Sequence, residues 1–242
     1  MNDLIKRFGY PSDHTHFICF PFAGGYSAAF RPLHDSLQDR FEVLAAEPPG
    51  HGSNRSPLVD DLERLVSMYE AALLPQLRKP FILFGHSMGG IVAFRLAQIL
   101  ESKGLFPEAV IISAVQPPDI KRPVRSQMED GAFADYVIGL NGIPPELAKN
   151  REMLGFFLPP FRSDFKALET FRPSDMTRVQ SEMHIFNGNE DEACVLDADG
   201  WARWGQRVAF HRFPGGHMYL QSETKQVSDT IRSLFASSST LT

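Results

Sequence analysis

The sequence predicts an α/β fold in which helices flank a mostly parallel central sheet. Short apolar runs alternate along the chain with amphipathic stretches, which is typical of parallel strands joined by helices. Polar residues rarely interrupt the apolar runs, as expected for strands buried on both faces. The 242 residues are 43% hydrophobic and 22% charged, enough for one sizeable core. We therefore expect a single domain over residues 1–242.

Six apolar runs are the predicted strands. Each is short and rich in Phe, Val, Ile, Leu or Ala, and most are followed by polar or Gly-containing segments. The predicted strands cover residues 16–20, 41–46, 81–84, 109–114, 183–186 and 208–213.

Three further stretches predict helices. Ser56 has the character of an N-cap, with Pro57 at the first helical position. A second helix is expected from residue 87 to residue 103, with Gly104 as its C-cap. The polar tail after the last helix is expected to fray. The first helix would bury Leu62, Leu65, Val66, Tyr69, Leu73 and Leu77, and the last would bury Val227, Ile231, Leu234 and Phe235.

The stretch from about residue 116 to residue 179 interrupts this rhythm. It contains several prolines and many charges, and it is too long for a simple crossover between two strands. We expect a helical insertion that forms a lid over the top of the sheet. The alternative is a crossover with extra structural helices and no role in substrate access. Its Phe-rich patch consists of Phe156, Phe157, Phe161 and Phe165.

The segment Gly85-His86-Ser87-Met88-Gly89 matches the pattern G-x-S-x-G. A predicted strand precedes it directly and a predicted helix follows, which is the context of a nucleophile elbow in an α/β-hydrolase. In such a tight turn the serine backbone is strained, and the glycines let strand and helix approach closely. The helix N-terminus also favours a developing anion. Ser87 is therefore the predicted nucleophile; the alternative is a Gly/Ser turn without chemistry.

A serine needs a base, and in this fold the chain order is serine, acid, histidine. His217 follows the last predicted strand, in a loop with Gly215 and Gly216 that gives the ring room to turn. His217 is therefore the predicted base. The other histidines come too early, adjoin the serine or lie within predicted strands: His14, His16, His34, His51, His86, His184 and His211.

The acid should follow the penultimate strand. Asp191 lies just past the turn residue Gly188 and is the favoured acid, with Glu190 as the runner-up. It would hold the imidazole tautomer and stabilise the imidazolium without taking the proton itself. The remaining acidic residues of this loop are expected to be solvated: Glu192, Asp197 and Asp199.

Two backbone N–H groups should form the oxyanion hole. One belongs to Met88, the residue after the nucleophile. The other is expected in the loop at residues 20–25, where Ala23 is favoured and Phe22 comes next. Alternatively, the two glycines of this loop merely form a turn. A dinucleotide site is disfavoured, because no G-x-G-x-x-G follows the first predicted strand.

Four segments carry a resemblance to one known family. They are Phe20-Pro-Phe-Ala-Gly-Gly25, Glu47-Pro-Pro-Gly-His-Gly52, Phe84-Gly-His-Ser-Met-Gly-Gly90 and Gly215-Gly-His217. Together they resemble the type II (external, editing) thioesterases of nonribosomal peptide and polyketide synthesis, over nearly the whole chain. The stretch Phe156-Phe-Leu-Pro-Pro-Phe-Arg-Ser-Asp164 also looks like the members that accompany the surfactin synthetase of bacilli and related peptide-antibiotic synthetases.

The resemblance implies a catalytic triad of Ser87, Asp191 and His217, with oxyanion donors at Ala23 and Met88. It implies hydrolysis of misloaded short acyl or aminoacyl groups from the phosphopantetheine arm of peptidyl or acyl carrier domains, with no cofactor of the enzyme's own. The alternatives are a small-ester esterase, a fatty acyl carrier thioesterase and a catalytically silent binding protein with the same fold.

Charge and composition restrict the classes of binding partner that we expect. A net charge of −5 and the lack of long basic blocks disfavour nucleic acid, and no apolar run is long enough for a membrane span. Cys19 and Cys194 are expected to be free thiols in a cytoplasmic monomer. No spacing indicates a metal site. Because carrier domains tend to be acidic, basic residues of the insertion are candidates for carrier docking: residues 121–125, Arg162 and Lys166.

Overall fold

The computed structural model describes residues 4–140, 142–143, 145–174 and 176–236, and within them seven strands form one sheet. The strands are β1 (Ile5–Arg7), β2 (Thr15–Phe20), β3 (Phe41–Ala46), β4 (Phe81–His86), β5 (Ala109–Ser113), β6 (Val179–Gly188) and β7 (Gly205–Phe213). Their order across the sheet is β1-β3-β2-β4-β5-β6-β7. Only β1 is antiparallel to its neighbour, β3. The predicted mostly parallel α/β architecture is therefore confirmed.

All six predicted strands are present, and β1 was not predicted. It has three residues at the edge of the sheet, too few to show a periodic pattern. The central strands are buried along their whole length, which explains their continuous apolar sequence.

Helices cover both faces of the sheet. They are α1 (Arg31–Leu37), α2 (Leu62–Leu73), α3 (Met88–Ser102), α4 (Asp130–Gly139), α5 (Pro145–Ala148), α6 (Arg151–Thr170), α7 (Glu192–Leu196), α8 (Tyr219–Ser222) and α9 (Thr224–Leu234), with 3₁₀ turns at Ser27–Phe30, Leu74–Gln76 and Ala198–Arg203. One apolar core lies between the sheet and α2 and α3, and a second lies between the sheet and α1 and α9. No helix of the described ranges has the length and apolar character of a membrane span.

The predicted start of α2 is wrong. The helix begins at Leu62, because Asp61 is the N-cap and its carboxylate accepts the backbone N–H of Arg64 at 2.8 Å. Ser56 instead donates its backbone N–H to the side chain of Asn54 at 3.0 Å and belongs to the preceding loop. The predicted apolar stripe is confirmed as buried, although Leu77 lies beyond the end of the helix.

The predicted end of α3 is confirmed. Gly104 has φ +79° and donates its N–H to the carbonyl of Glu101 at 2.9 Å, while Leu105 donates to Leu100 at 3.0 Å. This pair of bonds is a Schellman motif, which satisfies the last carbonyls of the helix. Of the apolar residues predicted for the last helix, Val227 and Ile231 of α9 are buried, Leu234 is half-buried, and Phe235 is half-buried just beyond the end of the helix. Of the tail predicted to fray, residues 236–242, residues 237–242 lie outside the described residues.

Between β5 and β6 the chain leaves the sheet and forms α4, α5 and α6. We call this segment the helical insertion; it falls within the predicted range 116–179, of which residues 141, 144 and 175 are outside the described part. Its role as a lid stays a prediction. The insertion has its own apolar cluster, against which Ala23 packs: Phe133, Ala134, Val137, Ile143, Leu154, Leu158, Phe161 and Phe165.

Candidate active site

The five predicted site residues all follow the carboxyl ends of parallel strands. Ala23 follows β2, Ser87 and Met88 follow β4, Asp191 follows β6, and His217 follows β7. These strand ends lie along one edge of the sheet, where open α/β sheets bind their ligands. The fold therefore brings together residues that are up to 194 positions apart in the sequence.

The elbow holds Ser87 in a strained conformation. Its φ is 55° and its ψ is −121°, a region that L-residues rarely adopt, and its N–H donates to the carbonyl of Ser113 at 2.7 Å. A Cβ added at Gly85 would collide with the backbone of Gly89, and one at Gly89 would collide with the carbonyl of Phe20. The two glycines of the motif are thus required by close backbone contacts on both sides of the serine.

Ser87, His217 and Asp191 form one hydrogen-bonded line. The Nε2 atom of His217 is 2.9 Å from Ser87 Oγ, and its Nδ1 atom is 2.7 Å from Asp191 Oδ2. Because a carboxylate only accepts, Nδ1 carries the proton and the Nε2 lone pair faces the serine hydroxyl. Burial alone would raise the pKa of Asp191, but the hydrogen bond and charge of His217 outweigh it and hold that pKa below its ordinary value.

Of the acidic residues in this loop, Asp191 is the one whose carboxylate contacts His217. The side chain of Glu190, the alternative acid, is exposed, and its backbone N–H donates to Gly215 at 2.9 Å. A Cβ at Gly188 would collide with the backbone of the loop that carries His217. This glycine therefore lets the acid loop and the histidine loop lie against each other.

Cys194 is a site neighbour that the sequence did not indicate. The residue is buried in α7, where its thiol lies within 4.8 Å of the Asp191 carboxylate and helps to lower the pKa of that carboxyl. Burial and the nearby Asp191 raise the pKa of the thiol itself. Within the described residues, Asp191, Cys194 and His217 are the one group whose donor atoms lie close enough for a metal, within 4.8 Å. Burial keeps this thiol protonated, and a protonated thiol is a poor metal ligand.

A buried polar chain lies beneath the elbow. The Nδ1 atom of His86 is 2.8 Å from Ser113 Oγ, which is 2.5 Å from the hydroxyl of Tyr219. Burial, together with the nearby His217, lowers the pKa of His86 to about 3, so its ring is neutral at physiological pH. The His86 ring thus bonds to Ser113, whereas the serine hydroxyl bonds to His217, and the neutral ring adds no positive charge beside His217.

The two predicted oxyanion donors both have N–H groups without an acceptor in the described chain. Met88 is the first residue of α3, where helix N–H groups lack intrahelical partners. Ala23 lines a small cavity together with Ser87 and His217. The N–H of Ala23 is thus at the wall of a cavity, and the N–H of Met88 is left without an acceptor directly after Ser87.

Two cavities meet at Ser87. The smaller one, about 30 Å³, is mainly apolar and is closed on the insertion side by Val137, Leu140 and Phe161. The larger one, about 410 Å³, extends along Asp191 toward the start of the insertion. Polar and charged side chains line part of its wall, among them Gln116, Lys121, Arg122, Arg125 and Glu169.

The basic residues predicted to dock a carrier differ in their surroundings. Arg122 is buried and donates to the carbonyl of Gln116, and Arg162 and Lys166 form ion pairs with acidic residues. Lys121 is exposed at the larger cavity, and Arg125 lies over the ring of Tyr136 in the wall of the same cavity. These two basic residues therefore line the cavity that reaches Ser87 without being buried as Arg122 is.

The protein has a mostly parallel sheet and a strained serine at an elbow, hydrogen-bonded to an imidazole and through it to a carboxylate. This combination defines an α/β-hydrolase. The family model of the thioesterase domain matches residues 15–236. The chain therefore belongs to the thioesterase domain family, whose members are hydrolases.

Relatives with biosynthetic names extend this finding. The chain is 32% identical over 232 residues to the probable anguibactin biosynthesis thioesterase AngT of Vibrio anguillarum, covering 92% of each protein. It is 30% identical over 227 residues to the probable cadicidin biosynthesis thioesterase of Streptomyces griseus, covering 91% of this chain and 62% of that protein. Its fold matches YbtT, a type II thioesterase of the yersiniabactin NRPS/PKS pathway, with a TM-score of 0.85, 26% identity, and coverage of 95% and 97%.

Proposed function

We propose that this protein is an editing thioesterase of nonribosomal peptide or polyketide synthesis. It removes misloaded short acyl or aminoacyl groups from the phosphopantetheine arm of peptidyl or acyl carrier domains and so regenerates the free thiol. The observation that carries the proposal is the line of hydrogen bonds from Ser87 through His217 to Asp191 in a chain of the thioesterase family. Anguibactin biosynthesis and the yersiniabactin NRPS/PKS pathway, named for two of the similar proteins, support the biosynthetic role.

The first half-reaction follows from the hydrogen bonds. His217 Nε2 takes the proton of Ser87 as the hydroxyl oxygen attacks the thioester carbonyl. The imidazolium that forms is stabilised by the ionised Asp191. The carbonyl oxygen becomes an anion between the N–H groups of Ala23 and Met88, where each donor contributes about 3–4 kcal/mol to the transition state. The tetrahedral intermediate then collapses and its C–S bond breaks; the sulfur of the arm leaves as a thiol with the proton that His217 took from Ser87, which frees His217 to act as a base again.

The second half-reaction restores the enzyme. A water molecule attacks the acyl-serine ester while His217 accepts its proton, and the acid leaves as Ser87 is reprotonated. A thiol has an ordinary pKa of about 8.5, so a thiolate leaves more readily than an amine. Protonation of the leaving group therefore matters less than in a protease. A thioester is thus well suited to this triad.

The two cavities suggest how the substrate lies. The small apolar cavity beside Ala23 has room for a short acyl group only, whereas the larger one has the volume for a phosphopantetheine arm. Lys121 and Arg125, which line the larger cavity, would face the phosphate of the arm or the acidic surface of a carrier domain. In this proposal the helical insertion is a lid over both cavities.

The resemblance of the segment at residues 156–164 favours the synthetases of lipopeptides such as surfactin as the finer assignment. The enzyme would then act as a monomer in the cytoplasm, beside the carrier domains that it clears. Testing carrier domains from several synthetases side by side would identify the preferred system by kcat/KM.

The decisive experiment measures acetate released from acetyl-phosphopantetheinyl carrier domains, with acetyl-coenzyme A and p-nitrophenyl acetate as comparison substrates. The proposal expects the highest kcat/KM with the acylated carrier. A preference for the small ester would favour an esterase, and a rise in activity with chain length would favour a fatty acyl carrier thioesterase. A wild-type protein that neither turns over nor reacts with a fluorophosphonate probe would be a binding protein.

A further inference from the structure

A buried carboxylate of the helical insertion reaches the oxyanion loop. Asp164 of α6 is only 2% exposed, and its Oδ2 atom accepts the backbone N–H of Gly24 at 2.7 Å. Gly24 directly follows Ala23, the proposed oxyanion donor. The hydrogen bond therefore fixes the peptide next to the one that would bind the oxyanion, across 140 residues of sequence.

The same loop is enclosed on its other sides. Gly25 donates its N–H to the carbonyl of Phe22 at 2.8 Å, which closes a tight turn around Ala23. Gly24 has φ +76°, and a Cβ there would collide with the ring of Phe161, which is also on α6. The loop thus lies directly against this helix, and its conformation depends on where the helix is seated.

His51 completes the cluster from a third segment. Its Nε2 atom is 3.0 Å from Asp164 Oδ2, and its Nδ1 atom is 2.9 Å from the carbonyl of Pro49. A carbonyl and a carboxylate both only accept, so the ring satisfies both contacts when each nitrogen carries a proton. That state is the imidazolium, here 5% exposed and paired with the Asp164 carboxylate.

The surroundings of His51 agree with this charge state. Burial lowers the pKa of His51, but the hydrogen bond and charge of Asp164, the Pro49 carbonyl and the charge of Glu47 outweigh it and raise that pKa above its ordinary value. Tyr69 of α2 is buried, and its burial together with the charges of Asp164 and Glu47 raises the pKa of its hydroxyl, so it stays neutral. Among the residues that the structure describes, Glu47 and Tyr69 are thus the titratable groups of neighbouring segments that interact electrostatically with the His51–Asp164 pair.

We infer that Asp164 and His51 are positioning residues for the oxyanion hole: the His51–Asp164 ion pair holds the loop at Ala23 in its catalytic conformation and couples it to the seating of α6. The inference rests on the proposed function through the role given to Ala23. When α6 leaves its place, Gly24 loses its acceptor, and the hole loses one of its two donors. Neither residue touches the reacting atoms, and both act through the position of the loop.

The test compares Asp164→Ala with Glu101→Ala. Glu101 is also a buried carboxylate that accepts two backbone N–H groups, those of Gln180 and Ser181, but it lies at the opposite end of the sheet. Both variants are expected to lower the melting temperature. Only Asp164→Ala is expected to lower kcat for p-nitrophenyl acetate and acetyl-carrier, by about 100-fold with KM changed less than about threefold, as a displaced donor predicts.

A second variant tests the charge of His51 and needs no loss of packing. Because the pKa of folded His51 is raised, the ion pair is present below that pKa and is lost as pH rises through it. Wild-type kcat should therefore decline with rising pH, at pH values above the ordinary histidine pKa of about 6.5. His51→Gln keeps a neutral donor at the place of Nε2, so its kcat should lose that alkaline decline, whereas His51→Ala should lose kcat at every pH.

Each result decides the inference. It is overturned when Asp164→Ala, judged folded by circular dichroism, keeps wild-type kcat, or when His51→Gln keeps the wild-type alkaline decline. If the pair were merely structural, its variants would lower the melting temperature as Glu101→Ala does, and the pH profile of kcat would stay that of the wild type. Turnover of p-nitrophenyl acetate separates this outcome from failure of the proposed function, because that substrate needs the oxyanion hole but no carrier domain.

Discussion

The two proposed oxyanion donors are held by very different means. The N–H of Met88 belongs to an elbow whose strand and helix are buried in the core and pressed together at Gly85 and Gly89. The N–H of Ala23 belongs to a loop that is fixed by polar groups, among them the carboxylate of Asp164 on the helical insertion. One half of the hole is thus set by steric packing within a short motif, and the other by hydrogen bonds from distant segments.

A second buried carboxylate helps to hold the loop that carries Ala23, which we call the polar half of the hole. Glu47, at the end of β3, is buried and accepts the backbone N–H and hydroxyl groups of both Ser27 and Ser53. Ser27 begins the turn that follows the oxyanion loop, so Glu47 ties that loop to the segment that carries His51. The elbow should therefore fail through added volume, whereas the loop, where Phe161 also leaves no room for a Cβ at Gly24, should in addition fail through lost charge.

The largest expected effect is at the elbow itself. Ser87→Ala removes the proposed nucleophile and should lower kcat by about 10⁶-fold, because the remaining members of the proposed triad cannot substitute for it. The melting temperature should stay close to that of the wild type, since the change removes one partly buried hydroxyl. Acetate release from acetyl-carrier measures the loss, and a fluorophosphonate probe should no longer label the protein. Retained turnover would remove Ser87 from the mechanism.

The next effect separates the acid from its neighbours. Asp191→Asn places an amide beside His217 Nδ1 and favours the wrong tautomer, so kcat should fall by about 10⁴-fold. Glu190→Gln is the matched control, because its side chain is exposed and contacts solvent; its kcat should stay within about threefold of the wild type. Equal losses in the two variants would contradict the assignment of Asp191 as the acid.

The same contrast explains what could be predicted from the sequence. The elbow, the base and the acid follow rules of local order: Ser87 sits between a strand and a helix, and His217 follows the last strand. The positions of these side chains were therefore predictable. The start of α2 was not, because Ser56 and Asp61 both suit an N-cap and only the folded loop decides between them.

The contacts in the polar half of the site could not be predicted from such rules. His51 and Asp164 lie in segments that resembled a known family, but the contact between them spans 113 residues and depends on where α6 packs. Cys194 likewise gave no periodic signal of burial next to Asp191, because α7 is only five residues long. Hydrogen bonds of this range depend on tertiary packing, which a single sequence does not reveal.

A steric test of the elbow uses two glycines. Gly89→Ala forces a Cβ into the carbonyl of Phe20 and should destabilise the protein by about 2–4 kcal/mol, with loss of activity. Gly155→Ala, in α6, meets open space and should be neutral or stabilising by up to about 1 kcal/mol. Chemical denaturation measures both. Similar free energies of unfolding in the two variants would show that the elbow tolerates added volume.

The smallest effect concerns the polar half and depends on pH. Glu47→Gln turns an amide NH₂ toward serine donors and should lower the free energy of unfolding by about 1–3 kcal/mol at neutral pH. Burial alone would raise the pKa of Glu47, but the hydrogen bonds from Ser27 and Ser53 outweigh it and lower that pKa. The contribution of the carboxylate is therefore complete above its unfolded pKa, near about 4.3, and is lost as pH falls through the folded pKa.

Denaturation at neutral pH and at successively lower pH should show the stability difference between wild type and Glu47→Gln shrinking toward zero in acid. Glu63→Gln, which breaks a half-exposed pair with Arg95, serves as the control and should cost no more than about 1 kcal/mol. A difference that stays constant with pH would mean that Glu47 contributes through its shape alone. The oxyanion loop would then resemble the elbow, held by packing rather than by charge.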